Sequence, residues 1–187
     1  MAQPGGTGPV GPFPPGVDDH DARDEYDKRR RRVLWKMPSG LYVLGSTDKA
    51  DRRNGMTINW VTQVAFEPKL VAVSVEQTAF THELVAASGV FSLNFIAQDD
   101  RAIVRKFTKP VDVDLAAHTL NDFPFHDGVT GAPILDQAVA YVDCEIRHSL
   151  DLGDHTLFVG EIVDAAFRSE EATPALAMSD TRMNYGG

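Results

Sequence analysis

The stretch NGMTINWVTQVAF, residues 54–66, carries the clearest structural pattern in this chain of 187 amino acids. Its opening Asn-Gly pair tolerates positive backbone φ angles, which favours a turn before a strand. The following residues alternate, so that Thr57 and Asn59 point to one face of an extended chain and Ile58 and Trp60 to the other. We therefore predict a turn followed by one long β-strand.

Strand patterns lie on both sides of this segment. Short apolar runs and alternating patterns predict strands over residues 41–47, 56–66, 70–75, 90–96, 138–150 and 155–167. Helical spacing predicts a helix that begins near an N-cap at Thr78 or Thr81 and ends at Gly89, and a second short helix over residues 99–107. Six or seven strands with two short helices predict a mainly β protein, an antiparallel barrel with helical insertions.

The composition excludes several classes of protein. The chain has 18 Lys and Arg against 27 Asp and Glu, a net charge of −9, which argues against a nucleic-acid-binding role. Its single cysteine, Cys144, excludes an intramolecular disulfide framework and Cys-rich zinc sites. No apolar run approaches the ~20 residues that a membrane span needs, and no secretory signal opens the chain. We expect a cytoplasmic protein with one domain and no metal site.

The first 32 residues differ in composition from the rest. Residues 1–16 contain five Gly and five Pro, and residues 18–32 carry six acidic and six basic side chains, including the run Arg29 to Arg32. Such a segment buries too little apolar surface to offset its ordering entropy. We therefore expect a disordered tail over residues 1–32 and a folded domain over residues 33–187.

Five segments, taken in order, resemble a known family. They are residues 38–47, 54–60, 67–75, 81–95 and 153–162, and together they are similar to the flavin reductase-like family with an FMN-binding split barrel. The resemblance implies a six-stranded antiparallel Greek-key split barrel that forms a homodimer and binds flavin at or near the subunit interface. In such a dimer the apolar face of Val71, Val73 and Val75 would be covered by the second subunit.

The resemblance also implies a set of flavin-binding residues. Residues 56–60 would lie along the isoalloxazine ring, and the turn at residues 77–82 would hold the phosphate at a helix N-terminus, where unpaired N–H donors favour an anion. The candidate cofactor-binding residues are Ser46, Met56, Thr57, Ile58, Asn59, Trp60, Thr62, Thr78, Phe80, Thr81, His82 and Arg105. A half-buried edge strand and plain helix capping are the alternative interpretations of these two segments.

Positive charge is scarce around this proposed phosphate site. Between Arg53 and Arg101 the only Lys or Arg is Lys69. Neutralisation of a flavin phosphate would then come from His82, or from basic residues brought near by folding: Arg52, Arg53, Arg101, Arg105 or Lys106.

His155 is the candidate catalytic residue. It follows Gly153 and Asp154 in a tight turn, and the resemblance places it near the flavin or nicotinamide, where it would bind a cofactor phosphate or place a proton. The alternative is a histidine that only caps a hairpin. Hydride transfer itself needs no protein acid or base, because the cofactors carry the chemistry and the protein holds the two rings together.

The resemblance therefore implies an NAD(P)H:flavin oxidoreductase. It would use NADH or NADPH to reduce FMN or FAD, and family members often supply reduced flavin to a partner monooxygenase. Two alternatives remain from the sequence: a flavoprotein that retains FMN and carries electrons, and a related barrel that has lost flavin and serves as a binding protein.

Overall fold

The computed structural model describes residues 11–182, and contacts divide the chain into two units. One unit comprises residues 1–38 and 182–187, and the other comprises residues 39–181. No helix in the described part of the chain is long and apolar enough to cross a membrane. The candidate site lies within the larger unit.

The smaller unit contains helix α1, His20–Leu34. Asp19 caps it by accepting a hydrogen bond from the N–H of Ala22 at 2.8 Å, and Asp27 forms ion pairs with Arg30 and Arg31 one turn later. The expected disorder of residues 1–32 is therefore wrong for residues 20–32, whereas residues 1–10 lie outside the described residues. A helix can form here without burying apolar surface because capping and i,i+3 or i,i+4 ion pairs act locally.

The larger unit is built on two antiparallel sheets. Its strands are β1 Tyr42–Thr47, β2 Arg53–Ile58, β3 Val61–Ala65, β4 Leu70–Glu76, β5 Val90–Phe95, β6 Val113–Asp114, β7 Thr119–Leu120, β8 Phe123–Asp127, β9 Pro133–Leu135, β10 Ala140–Asp151 and β11 His155–Phe167. Seven strands form the main sheet in the order β2-β1-β5-β10-β11-β4-β3, and β6 to β9 form a small second sheet. The expectation of a mainly β, antiparallel protein is confirmed.

The main sheet has seven strands because the predicted long strand over residues 56–66 is interrupted. The chain turns at Asn59 and Trp60, where the N–H of Val61 donates to the carbonyl of Asn59 at 3.0 Å. The two halves, β2 and β3, then lie at opposite edges of the sheet. Since only two residues join them, the sheet must curl until its edges approach each other at Trp60.

Helix α2, Phe80–Ser88, follows β4 and packs Leu84 and Val85 into the core. It ends at Gly89, whose φ of 71° is the left-handed conformation expected there. Its N-cap is Ala79, so the prediction of a Thr78 or Thr81 cap is wrong.

The second predicted helix is shorter than expected. In place of one helix over residues 99–107, the chain forms a 3₁₀ turn, Gln98–Asp100, and helix α3, Ile103–Lys106. A last 3₁₀ turn, Met178–Asp180, lies near the end of the described chain.

The core lies inside the curled sheet. Leu44, Val73, Phe91 and Phe158 are its buried centre, and Cys144 packs among them. Burial raises the pKa of the Cys144 thiol, which keeps it protonated and inert. Val71, Val73 and Val75 are also buried within this single chain, so they do not form the open face that a dimer was expected to cover.

Candidate functional site

Four elements meet near the point where the two edges of the curled sheet approach each other. The start of β11 pairs with the end of β4, His155 opposite Glu76, and the N–H of Gln77 donates to the carbonyl of Asp154 at 2.9 Å. The carbonyl of Trp60, just before β3, accepts a hydrogen bond from the N–H of Ser74 on β4 at 3.1 Å. The first turn of α2 follows directly from this end of β4, so aromatic, hydroxyl and imidazole groups gather here.

Trp60 and His155 form the aromatic part of the site. Their ring centroids are 4.9 Å apart, with the planes tilted by 49°. The Trp60 side chain is 38% exposed, so part of the indole surface faces solvent. His155 Nδ1 lies 2.9 Å from Oδ1 of Asp154, and this hydrogen bond lowers the pKa of the Asp154 carboxyl. With Nδ1 held by Asp154, Nε2 is the ring atom left for a ligand.

His82 is held against β11. Its Nε2 lies 2.8 Å from the hydroxyl of Thr156, and its ring packs against Phe158 at 5.3 Å between centroids. Gln77 bridges the same region, since its Nε2 donates to Oδ1 of Asp151 at 2.9 Å and approaches Thr156 at 3.5 Å. These contacts link the first turn of α2 to the β10–β11 turn beside His155.

Thr81 is buried rather than exposed. It is 1% exposed, and its Oγ1 accepts a hydrogen bond from Nδ2 of Asn54 on β2 at 2.8 Å. Ser46 lies opposite Asn54 in the β1–β2 register, so both side chains leave the same face of the sheet. Within residues 11–182, the Ser46 hydroxyl oxygen is buried and has no hydrogen-bond partner. An unpaired buried hydroxyl is costly, and such groups often mark ligand sites.

Three side chains lie at the N-terminal end of α2: Thr78, Phe80 and Arg52. The Thr78 hydroxyl donates to Glu76 at 3.0 Å, and the Phe80 ring is 46% exposed. The Arg52 guanidinium carbon lies 5.8 Å from the centre of that ring. Arg52 also donates to Oδ2 of Asp48 at 2.7 Å, and this bond is the main cause that lowers the pKa of Asp48 to about 2.

Other predicted site residues lie elsewhere. The Thr57 hydroxyl donates to the carbonyl of Val104 at 2.5 Å, so it is used to hold α3 against β2. Arg105 is an exposed residue of α3, next in sequence to Val104. Ile58 and Met56 belong to the core or pack against it, Asn59 is buried, and Thr62 is exposed on β3.

Three side chains of the site have no role of their own in the sequence prediction. Asn54 and Asp154 are predicted only as turn residues, and Gln77 only as part of the turn at residues 77–82 that would hold the phosphate. Each acts through a hydrogen bond to a distant or adjacent element, and no local pattern reports such a bond. No group of three or more His, Cys, Asp or Glu side chains between residues 11 and 182 is arranged to hold a metal ion.

Comparison with known proteins assigns the family. The family model described as "Flavin reductase like domain" matches residues 34–187. The chain therefore belongs to the flavin reductase-like family, and the family expected from the sequence is confirmed.

Individual relatives agree with this assignment. The "Stachydrine N-demethylase reductase subunit Stc3" of Rhizobium meliloti (strain 1021) is 29% identical over 147 residues, which are 78% of this chain and 61% of the relative. The "NADH-dependent FAD reductase" of Streptomyces globisporus is 32% identical over 142 residues, 72% of this chain and 73% of the relative. This chain thus spans less than two thirds of the first of these relatives.

A solved structure shares the fold. The Streptomyces globisporus C-1027 NADH:FAD oxidoreductase SgcE6, in complex with NAD and FAD fragments, matches this chain with a TM-score of 0.70 at 26% identity. The match covers 88% of this chain and 94% of that chain.

Proposed function

We propose that this chain is an NAD(P)H-dependent flavin reductase that binds FMN or FAD and transfers hydride from the nicotinamide to the flavin. The observation that carries the proposal is the junction of the Trp60–His155 pair with the first turn of α2, in a chain of the flavin reductase-like family. The relative from Streptomyces globisporus is named an NADH-dependent FAD reductase, which supports the same electron donor and acceptor.

The residues at this junction fit a flavin nucleotide. A flavin needs an aromatic or apolar surface for its ring and hydrogen-bond donors for its phosphate. The partly exposed indole of Trp60 offers the first, and the first-turn N–H groups of α2 offer the second. The unpaired hydroxyl of Ser46 adds a polar group that lacks a protein partner.

Each residue then has a defined task. Trp60 would orient the flavin ring, and His155, fixed through Nδ1 by Asp154, would place Nε2 for a hydrogen bond with the nicotinamide or flavin edge. The first turn of α2 would anchor the phosphate, and the Asn54–Thr81 hydrogen bond would fix that turn to β2. When bound, the flavin supplies the hydride-accepting chemistry, and the protein contributes alignment of the two rings.

The proposal extends to assembly and partners. We propose a homodimer, supported by exposed apolar side chains at two strands of the sheet that flank β4: Val64 and Phe66 at β3, and Val163 and Phe167 on β11. We also propose a cytoplasmic location and a partner monooxygenase, since one relative is named as the reductase subunit of a demethylase. Finally, β2 and β3 would be the two halves of one strand in a Greek-key split barrel.

Steady-state oxidation of NADH and NADPH tests the activity. The purified protein should consume the nicotinamide only when FMN or FAD is added, and the rate should saturate with flavin concentration. Trp60→Ala should raise the KM for flavin, whereas Val129→Ala, a substitution of an exposed apolar residue in the loop between β8 and β9, should leave it unchanged. A protein that stays yellow after desalting would indicate retained FMN and an electron carrier. No flavin-dependent oxidation would contradict the proposal.

A further inference from the structure

Arg52 is the cation that folding brings to the start of α2. Helix α2 has no Lys or Arg in its own sequence, and its N-cap is Ala79. The Arg52 guanidinium lies 5.8 Å from the ring centre of Phe80, the first residue of the helix. A basic group at this position adds to the partial positive charge of the helix N-terminus, and both favour a bound phosphate.

The charge of Arg52 is already shared with two carboxylates. Its Nε donates to Asp48 at 2.7 Å, and its Nη1 donates to Glu83, in the first turn of α2, at 2.5 Å. Arg52 is 48% exposed and Glu83 is 58% exposed, so both groups are accessible to a ligand from solvent. A phosphate that approaches the helix would therefore compete with Glu83 for the guanidinium and would be repelled by the Glu83 charge.

We propose that the Asp48–Arg52–Glu83 cluster sets the affinity for the flavin phosphate, with Arg52 attracting the phosphate and Glu83 opposing it. The inference rests on the proposed function and deepens it, because it names the residues that tune the affinity of the site for the flavin phosphate. The cluster discriminates by phosphate, so it acts on FMN and FAD but leaves riboflavin binding unaffected.

Dissociation constants for FMN and riboflavin, measured for matched variants, test this role. Because Arg52 and Glu83 are solvent-exposed, Glu83→Gln should tighten FMN binding by about threefold. Arg52→Gln should weaken FMN binding by about tenfold, since it removes a charged donor and leaves the Glu83 charge unpaired. The double variant should recover part of that loss, which a double-mutant cycle detects as coupling between the two residues. Riboflavin binding should stay unchanged in all three variants.

Glu67→Gln is the control for net charge. Glu67 is also an exposed, ion-paired acid, 2.8 Å from Lys69, but it precedes β4 whereas α2 follows that strand. Equal tightening of FMN by Glu67→Gln and Glu83→Gln would overturn the proposal, because it would show only a long-range charge effect. Parallel changes in riboflavin and FMN affinity would also overturn it. Failure of the wild-type protein to bind FMN and FAD would instead contradict the proposed function, and melting temperatures would identify a variant that does not fold.

Discussion

The side-chain amide of Asn54 on β2 donates a hydrogen bond to the buried hydroxyl of Thr81 on α2, across 27 positions of sequence and 2.8 Å of space. This bond joins β2, the edge strand that ends just before Trp60, to helix α2, whose first turn is the proposed phosphate anchor. It therefore couples the two parts of the proposed flavin site, the ring surface and the phosphate anchor. The hydroxyl oxygen of Thr81 is thereby an acceptor within the protein.

Removing the Thr81 hydroxyl should destabilise the protein. Thr81→Ala leaves the half-buried amide of Asn54 without its acceptor, and such a loss costs about 1–3 kcal/mol in the free energy of unfolding. Thr81→Ser should restore most of this stability. Asn54→Ala should have a similar cost, and the double variant should be less destabilised than the sum of the single variants, which urea denaturation will show. Strictly additive losses would mean that the two side chains act independently.

Trp60 should report flavin binding by its fluorescence. The chain has two tryptophans, so Trp35→Phe isolates the emission of Trp60. We expect FMN and riboflavin both to quench this emission, because the indole surface is proposed to contact the ring that the two ligands share. His155→Ala should weaken the binding of both without abolishing the quenching at saturation. Unquenched emission at saturating flavin would place the ring away from Trp60.

The Asp48–Arg52 pair should make the stability of the folded protein depend on pH in acid solution. Its hydrogen bond with Arg52 lowers the pKa of the carboxyl to about 2 in the folded protein, below the ordinary value near 4 in an unfolded chain. The folded state therefore binds fewer protons, and the stability from this pair is present above about pH 4 and lost as pH falls toward about 2. Asp48→Asn should show a shallower fall of melting temperature across that window. An unchanged slope would show that the ion pair contributes no measurable stability in solution.

The larger unit should function without the smaller one. Every residue of the proposed site lies between residues 39 and 181, whereas α1 and the aromatic contact of Phe13 with Tyr26 belong to the other unit. A chain shortened to residues 37–187 should keep the flavin affinity and the melting temperature of the full chain. A drop of several degrees would show that the N-terminal unit stabilises the sheet.

Much of the fold is predictable from the sequence. Strands β1, β4, β5, β10 and β11 lie within a few residues of their predicted positions, because buried runs and two-residue alternation depend on the local chain. The interruption at Asn59 and Trp60 is not visible in that pattern, since both residues fit an extended strand. Helix α1 was missed because its stability comes from capping and ion pairs rather than from a buried face.

The site was predictable only in part. Trp60 and His155 were proposed from the family resemblance, and the structure places them in contact. Thr57 was expected on the flavin, but its hydroxyl holds α3. The Asn54–Thr81 and Arg52–Glu83 bonds join residues about 30 positions apart, so they depend on the curl of the sheet, which a single sequence does not display.

Anaerobic mixing of the protein with one equivalent of NADH and excess FMN tests the central claim most directly. If the chain is a flavin reductase, one equivalent of FMN is reduced and loses its visible absorbance while one equivalent of NADH is oxidised. This reaction should be far faster than in the absence of protein. Repeating the experiment with NADPH, FAD and riboflavin ranks the substrates, and riboflavin should still be reduced because it carries the reacting ring. A rate no faster than the protein-free mixture for every pair of nicotinamide and flavin would contradict the account.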